Sequence, residues 1–284
     1  MLIQQIVNGL LLGSMYALVA IGYTLTFGVL RILNLAHGEV FMLGGLVGLG
    51  LAAGLHLPFP LVLVGAALAA GVASIAVEYL CVRPAKGDPL GPVLSTIGIG
   101  IILTSVAVKV IGSEPAILPV HLAAWDVQLG PLLISWVQVV ILGISVLLMV
   151  GLYLLIMRTR FGRALRALAE NSIAAQMQGI DVARLRLLTF FISGLLAGAS
   201  GILVALRLGM VSPFVGASVG MKALAAMVVG GLGSLPGAMA AGLLLGTLEV
   251  LGVAYGSAAY SEAVVWAVLL MVLLVRPNGL FKTA

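Results

Sequence analysis

Charge is what this sequence has least of. Asp, Glu, Lys and Arg together supply 8% of its 284 residues, against 62% apolar residues. So few ionisable groups cannot clothe a water-facing surface, and a mean hydropathy of +1.28 leaves the bilayer as the solvent. Cysteine is nearly absent: Cys81 is the only one, which excludes an intrachain disulfide. The three histidines, His37, His56 and His121, lie far apart and no His-Glu-x-x-His occurs, so no metal is expected. There is no Gly-x-x-x-x-Gly-Lys-Ser/Thr loop to cradle phosphate, and Gly231-Leu232-Gly233-Ser234-Leu235-Pro236 lacks the third glycine and the strand of a dinucleotide site. Catalysis and a bound cofactor are therefore not expected in this chain, and any ATP would be hydrolysed on another subunit. The net charge of +5 is not gathered into a basic stripe interleaved with aromatics, so nucleic acid is not an expected partner. No Lys or Arg precedes the apolar run that begins at Leu2 and continues to Leu30. That run is too long and wrongly flanked for a cleaved signal peptide and reads as a first retained span.

What is present is a series of apolar stretches: 3–30, 38–55, 58–82, 91–111, 131–157, 187–208, 216–232, 236–255 and 260–275. Most reach the ~20 residues that cross about 30 Å of hydrocarbon as a helix. The fold class is all-α, a polytopic bundle of about 8–10 transmembrane or re-entrant helices forming a single membrane domain over 1–284. The stretch 216–232 is short, glycine-rich and carries Lys222, which leaves a re-entrant half-helix open there. The first stretch would be about 42 Å long as a helix, so it must tilt or break, with Gly22 as one place for a break.

Lys and Arg near span ends are retained on the cytoplasmic side. Arg31, Arg83, Lys86, the cluster from Arg158 to Arg186, Arg276 and Lys282 fall in alternate connections, while 112–130, with Glu114, His121 and Asp126, carries no Lys or Arg. Nine crossings, an outside N-terminus and an inside C-terminus satisfy this pattern. Lys109 and Arg207 fall at outer ends, where they can snorkel.

The longest polar interval, 158–186, holds six of the fourteen basic residues. From Arg163 to Gln178 it is rich in helix formers, with Arg163, Arg166 and Glu170 recurring at spacings of three and four. Leu165, Leu168 and Ala169 fall on another face, and Gly179 suits the left-handed residue that ends a helix. The expectation is one short amphipathic helix parallel to the membrane, which either contacts headgroups or receives a partner.

Two glycine-rich blocks depart from plain lipid-facing helix, one at 32–45 and one from Gly216 through Gly230, Gly231 and Gly233 to Gly237. Small residues let helix backbones approach, and this accounts for most of the 37 glycines. Ionisable groups beside them need a partner or a wet cavity. Asn34, His37 and Glu39 are candidates for a path lining or gate, although they also fit a cytoplasmic interface. Lys222 and Glu249 either form a structural ion pair or contact a zwitterionic solute, which the positive end of a half-helix would also attract. The spans before the two blocks have opposite expected directions, as in an inverted repeat.

Four passages, taken in order, resemble the inner-membrane permeases of branched-chain amino-acid importers of the ATP-binding cassette (ABC) class over nearly the whole chain. They are Leu33-Asn34-Leu35-Ala36-His37-Gly38-Glu39 with Met42-Leu43-Gly44-Gly45; Gly162-Arg163-Ala164 through Glu170-Asn171 to Gly179-Ile180; Lys222-Ala223 through Gly230-Gly231-Leu232-Gly233-Ser234-Leu235-Pro236-Gly237; and Arg276-Pro277-Asn278-Gly279-Leu280-Phe281. The compact size resembles the LivH-type subunit more than its longer LivM-type companion. The segment Ile173-Ala174-Ala175-Gln176-Met177-Gln178-Gly179 is similar to the Glu-Ala-Ala-x-x-x-Gly signature of such permeases, with Ile173 in place of Glu. That resemblance implies that Arg163, Arg166, Glu170, Ala174, Ala175 and Gly179 couple to an ATPase, while Asn34, His37, Glu39, Lys222, Gly230, Gly231, Gly233 and Glu249 line or gate the path. It further implies a bacterial inner-membrane assembly with a second permease, two cytoplasmic ATPases holding ATP and Mg, and a periplasmic binding protein selecting Leu, Ile or Val. A urea or short-amide permease, an ion-coupled secondary transporter and a passive channel remain the alternatives.

Overall fold

A computed structural model of the chain describes residues 2–85, 90–120, 126–129, 132–257 and 261–281. Its helices are α1 (Leu2–Leu30), α2 (His37–Leu55), α3 (Phe59–Val77, continued by a π turn over Glu78–Val82), α4 (Gly91–Ile111) and α5 (Trp136–Arg158), then the short α6 (Arg160–Glu170) and α7 (Ser172–Met177). They are followed by α8 (Val182–Leu208), α9 (Val215–Gly230), α10 (Leu235–Tyr255) and α11 (Ser261–Val275). Seven of them, α1 to α5, α8 and α10, are long and apolar enough to cross a bilayer. At 16 and 15 residues, α9 and α11 reach only about 24 and 22 Å, short of the hydrocarbon thickness. The nine apolar stretches thus appear as seven long helices and two short ones among the described residues, within the expected 8–10 transmembrane or re-entrant helices. Glycine and proline set the limits: α9 lies between Pro213 and Gly231, and α11 stops before Pro277.

The first apolar run does not break at Gly22. Its Ser and Thr hydroxyls bond back to carbonyls of the preceding turn, Ser14 donating to Leu11, Thr24 to Ala20 and Thr26 to Tyr23, and α1 runs unbroken through Gly22. It ends where Arg31 takes a left-handed conformation, φ 56°. Residues 31–36 then turn back into the bundle, the Leu35 N–H donating to Thr96 Oγ1 at 3.2 Å. As a result α2 starts well inside. His37 lies against Gly22, roughly 12 Å before the end of α1, and Glu39 bonds Thr104, roughly 20 Å into α4. The reading of Glu39 as an interface residue is corrected accordingly.

The two halves of the chain exchange partners. α1 packs along α10, and α8, running the opposite way, packs along α3; α2 touches α3 and α8, as α9 touches α10 and α1. Exchanging α1, α2 and α3 for α8, α9 and α10 preserves this pattern, as the inverted repeat requires. The first turns of α2 and α9 meet where Gly38 lies against Gly216 and Gly220. Small residues make the long crossings close: a Cβ at Gly242 would stand 2.6 Å from the Ala17 Cα, and one at Gly198 2.7 Å from the Ala66 carbonyl. The pair α1 and α8 is central, with 83% and 72% of their spans buried, whereas α4, at 17%, is peripheral.

All the described basic connections lie at the end of the bundle where α1 stops and α10 starts. Lys86 and Lys282 of this set, and His121 of the opposite loop, lie outside the described residues. That opposite end adds strands which the all-α expectation did not include. β1 (Ala116–Ile117) pairs antiparallel with β4 (Met210–Val211), and β2 (Asp126–Leu129) with β3 (Leu132–Ser135). Backbone groups in these linkers find one another because no helix continues there to satisfy them.

Candidate functional site

The basic segment at 158–186 is two helices, not the single one expected. Asn171 leaves the helical conformation at φ −151°, ψ 107°, and its side chain accepts the N–H groups of Ile173 and Ala174, both at 3.0 Å. An Asn side chain that competes for backbone N–H groups breaks the run of helix formers at this point. α6 begins at a similar cap, Thr159 accepting from the Gly162 N–H at 3.2 Å. Its Leu165 and Leu168 are buried while Arg163, Arg166 and Glu170 are exposed, as their spacing predicts. Arg166, however, curls back to donate to the Ile156 carbonyl at the end of α5. In α7, Ala175 is buried whereas Ala174, Ile173 and Met177 are exposed, the last two at 69% and 83%. Gly179 closes the element at φ 80°, and Asp181 caps α8 by accepting the Arg184 N–H at 3.1 Å. The result is a short knob with two large apolar side chains facing outward, held at both ends by caps.

Within the bundle, Lys222 and Glu249 meet at 2.7 Å, so the structural pair is present. Tyr16 donates to the other carboxylate oxygen of Glu249 at 2.9 Å, and Glu262 approaches Lys222 at 3.8 Å. Glu249 also borders a cavity of ≈750 Å³ shared with Arg207, Gln5, Asn8 and Gln138. A second carboxylate, Glu78, is buried beside Arg186 at 3.8 Å.

Glu39 stands elsewhere, half-buried in a cleft of ≈500 Å³ between α2, α4 and α9 that Leu35, Ile97, Ile101 and Met221 make apolar. Asn34 and His37 are wholly enclosed by the chain, His37 edge-on to Tyr23 at 4.6 Å and 3.4 Å from Ser193 Oγ. Gly230, Gly231 and Gly233 sit at the basic end, where α9 meets α10 and the final turn. The Leu280 and Phe281 N–H groups donate to the Val229 and Gly230 carbonyls, and Gly231 and Gly233 adopt φ 106° and 89°.

The structure therefore brings Lys222 and Glu249 together but separates Glu39 from them and from the three joint glycines. Sequence reasoning missed Tyr16, Thr104 and Glu262, and read Ile173 as a departure from a signature, not as an exposed apolar contact. The signal for Tyr16 and Thr104 was their hydroxyls inside apolar runs, which single out no partner.

Comparison with known proteins matches this organisation. The family model described as branched-chain amino acid transport system, permease component, fits residues 5–273. The high-affinity branched-chain amino acid transport system permease protein BraD of Pseudomonas aeruginosa is 37% identical, with 98% of this chain and 95% of that one aligned. LivH of Salmonella typhimurium and LivH of Escherichia coli, named as permeases of the same system, are each 38% identical over 98% of this chain and 94% of theirs. Among solved structures, PsaBC from Streptococcus pneumoniae in complex with Fab shares the fold, at a TM-score of 0.53 and 15% identity over 95% of this chain and 91% of that one. With a family match over nearly its full length and long helices suited to a membrane, the chain belongs to the branched-chain amino acid transport system permease family.

Proposed function

We propose that this chain forms part of the translocation path of a bacterial ABC importer, carrying Leu, Ile and Val delivered by a periplasmic binding protein. It would work with a second permease and with two ATPases that hold ATP and Mg on the cytoplasmic side. The basic end of the bundle faces the cytoplasm in this reading, because Lys and Arg next to spans are retained there; the N-terminus is then periplasmic and the C-terminus cytoplasmic. The observation that carries the proposal is the capped knob at α7. Ile173 and Met177 at 69% and 83% exposure are costly in water, and none of the described residues covers them. A groove on an ATPase would cover them, with Arg163 and Glu170 at its rim. Glu249 is occupied by Lys222 and Tyr16, so it is not the free carboxylate that an ion-coupled carrier would use.

The test is reconstitution of the chain with its partners in proteoliposomes. Ile173→Asp with Met177→Asp should remove an apolar anchor worth about 2 kcal/mol, weakening ATPase binding on the order of 30-fold. Binding-protein-stimulated ATP hydrolysis should fall to its basal level while membrane insertion is unchanged. Undiminished coupling in that double variant, or leucine uptake without nucleotide, would sink the proposal.

A further inference from the structure

Among the described residues four acidic side chains, Glu39, Glu78, Glu249 and Glu262, lie along the long and short apolar helices of the bundle, and three of them have a cation from their own chain, Glu262 through the 3.8 Å approach to Lys222. Glu249 has Lys222 at 2.7 Å, and Glu78 has Arg186 at 3.8 Å. Glu39 differs. Among the described residues no Lys or Arg pairs with it, none lines its cleft, and its Oε2 accepts a single hydrogen bond from Thr104 at 3.0 Å. Yet it lies roughly halfway along α4, where a carboxylate persists only beside a partner or a wet cavity.

The surroundings keep this carboxylate available. A Cβ on Gly216 would stand 2.5 Å from Glu39 Oε2, and one on Gly100 3.2 Å from its Cγ, so both positions leave the space that the side chain occupies. Around it Leu35, Ile97, Ile101 and Met221 form an apolar wall within a cleft of ≈500 Å³ that is open on the surface of the chain. One carboxylate with the hydroxyls of Thr104, Tyr23 and Ser105 is still too small a donor set for a divalent metal, which takes six or more oxygens or a dedicated cage. A monovalent ammonium with an aliphatic group attached fits both the charge and the wall. A neutral amide such as urea has no charge to answer Glu39.

We propose that Glu39 receives the α-ammonium group of an aliphatic amino acid in transit, with its side chain against Ile97, Ile101 and Met221. This rests on the transport reading above and names the part of the solute that the path recognises. A single ion contact of this kind holds the solute weakly enough to release it, as conduction requires.

The experiment uses the full transporter with its ATPases and binding protein in proteoliposomes, following labelled leucine uptake and ATP hydrolysis together. Glu39→Gln should lower uptake on the order of tenfold, the loss of one charge-assisted contact, and leave stimulated ATP hydrolysis in place. Glu39→Asp should recover part of the uptake. Thr104→Val, which keeps the carboxylate, should stay within about threefold of the unaltered chain. A residue-39 thiol, made by Glu39→Cys in a Cys81→Ala background, should react with a water-soluble cationic thiol reagent in the assembled complex. Full uptake by Glu39→Gln, a loss in Thr104→Val equal to that in Glu39→Gln, or an unreactive thiol overturns the proposal and leaves the transport reading standing. Absence of nucleotide-dependent uptake in the unaltered complex removes the transport reading itself.

Discussion

Glu249→Ala should destabilise the bundle by about 3–5 kcal/mol, because it leaves the Lys222 ammonium enclosed without its main partner. Lys222 and Glu249 are 9% and 7% exposed, so neither can turn to water when the other is lost. Glu262 offers little relief: it stands 3.8 Å from Lys222 with a side chain 65% exposed, and such a solvated contact is worth at most about 1 kcal/mol. The thermal midpoint of the purified complex should fall on the order of 10 °C. Lys222→Met with Glu249→Leu, which replaces both charges by apolar groups of similar volume, should recover the part of the loss due to the unpaired charge, since a buried pair and its hydrophobic replacement are often equivalent, leaving the cost of the Tyr16 hydroxyl that loses its acceptor. Uptake measured on that double variant separates two roles. A stable, active double variant makes the pair a structural clasp between α9 and α10, and a stable, inactive one gives it a part in handling the solute.

Gly246→Leu should abolish accumulation of the folded chain. An added Cβ at that position would collide with the Gly13 backbone in α1, and one at Gly13 would stand 2.6 Å from the Leu243 Cα, so neither helix has a side chain that can move aside. The helices would have to separate along their most extensive crossing, losing packing that drives association in lipid. Overpacking costs typically 1–3 kcal/mol even where some adjustment is possible, and backbone against backbone allows little. Gly143→Ala is the contrast, since nothing lies within 4 Å of its added Cβ; a gain of up to about 1 kcal/mol in helix propensity is the expected result. Expression level and size-exclusion profile distinguish the two. Equal behaviour of both variants would refute the account of α1 against α10.

Much of this architecture is legible in the sequence where composition changes abruptly. The stretch 91–111 coincides with α4, and 38–55 begins one residue inside α2, because proline, glycine and charge mark their limits. Lys222 and Glu249 could be matched since they are the deepest opposite charges of the C-terminal third. Depth was not legible for Glu39. With Arg31 nearby in sequence it resembles an interface residue, and only the return of 31–36 into the bundle, fixed by the distant Thr96 and Thr104, places it inside. Asn171 was hidden for a local reason: its neighbours favour helix, and the cap it makes competes on energies of about 1 kcal/mol that a propensity sum cannot rank. Tyr16 joins a partner 233 positions away, and no periodicity within α1 announces such a contact.

The exchange of partners between the halves governs how the chain can be made. α1 ends at Leu30 and its mate α10 begins at Leu235, so at ~5–20 residues per second the ribosome delivers that mate roughly 10–40 s later. Until then the flank carrying Gly9, Gly13 and Tyr16 waits in lipid or against the insertion machinery, its hydroxyl and small-residue seam unfilled. Biogenesis must therefore tolerate a partly assembled intermediate, and a nascent chain cut short before α10 would present that seam to whatever quality-control protease inspects the membrane.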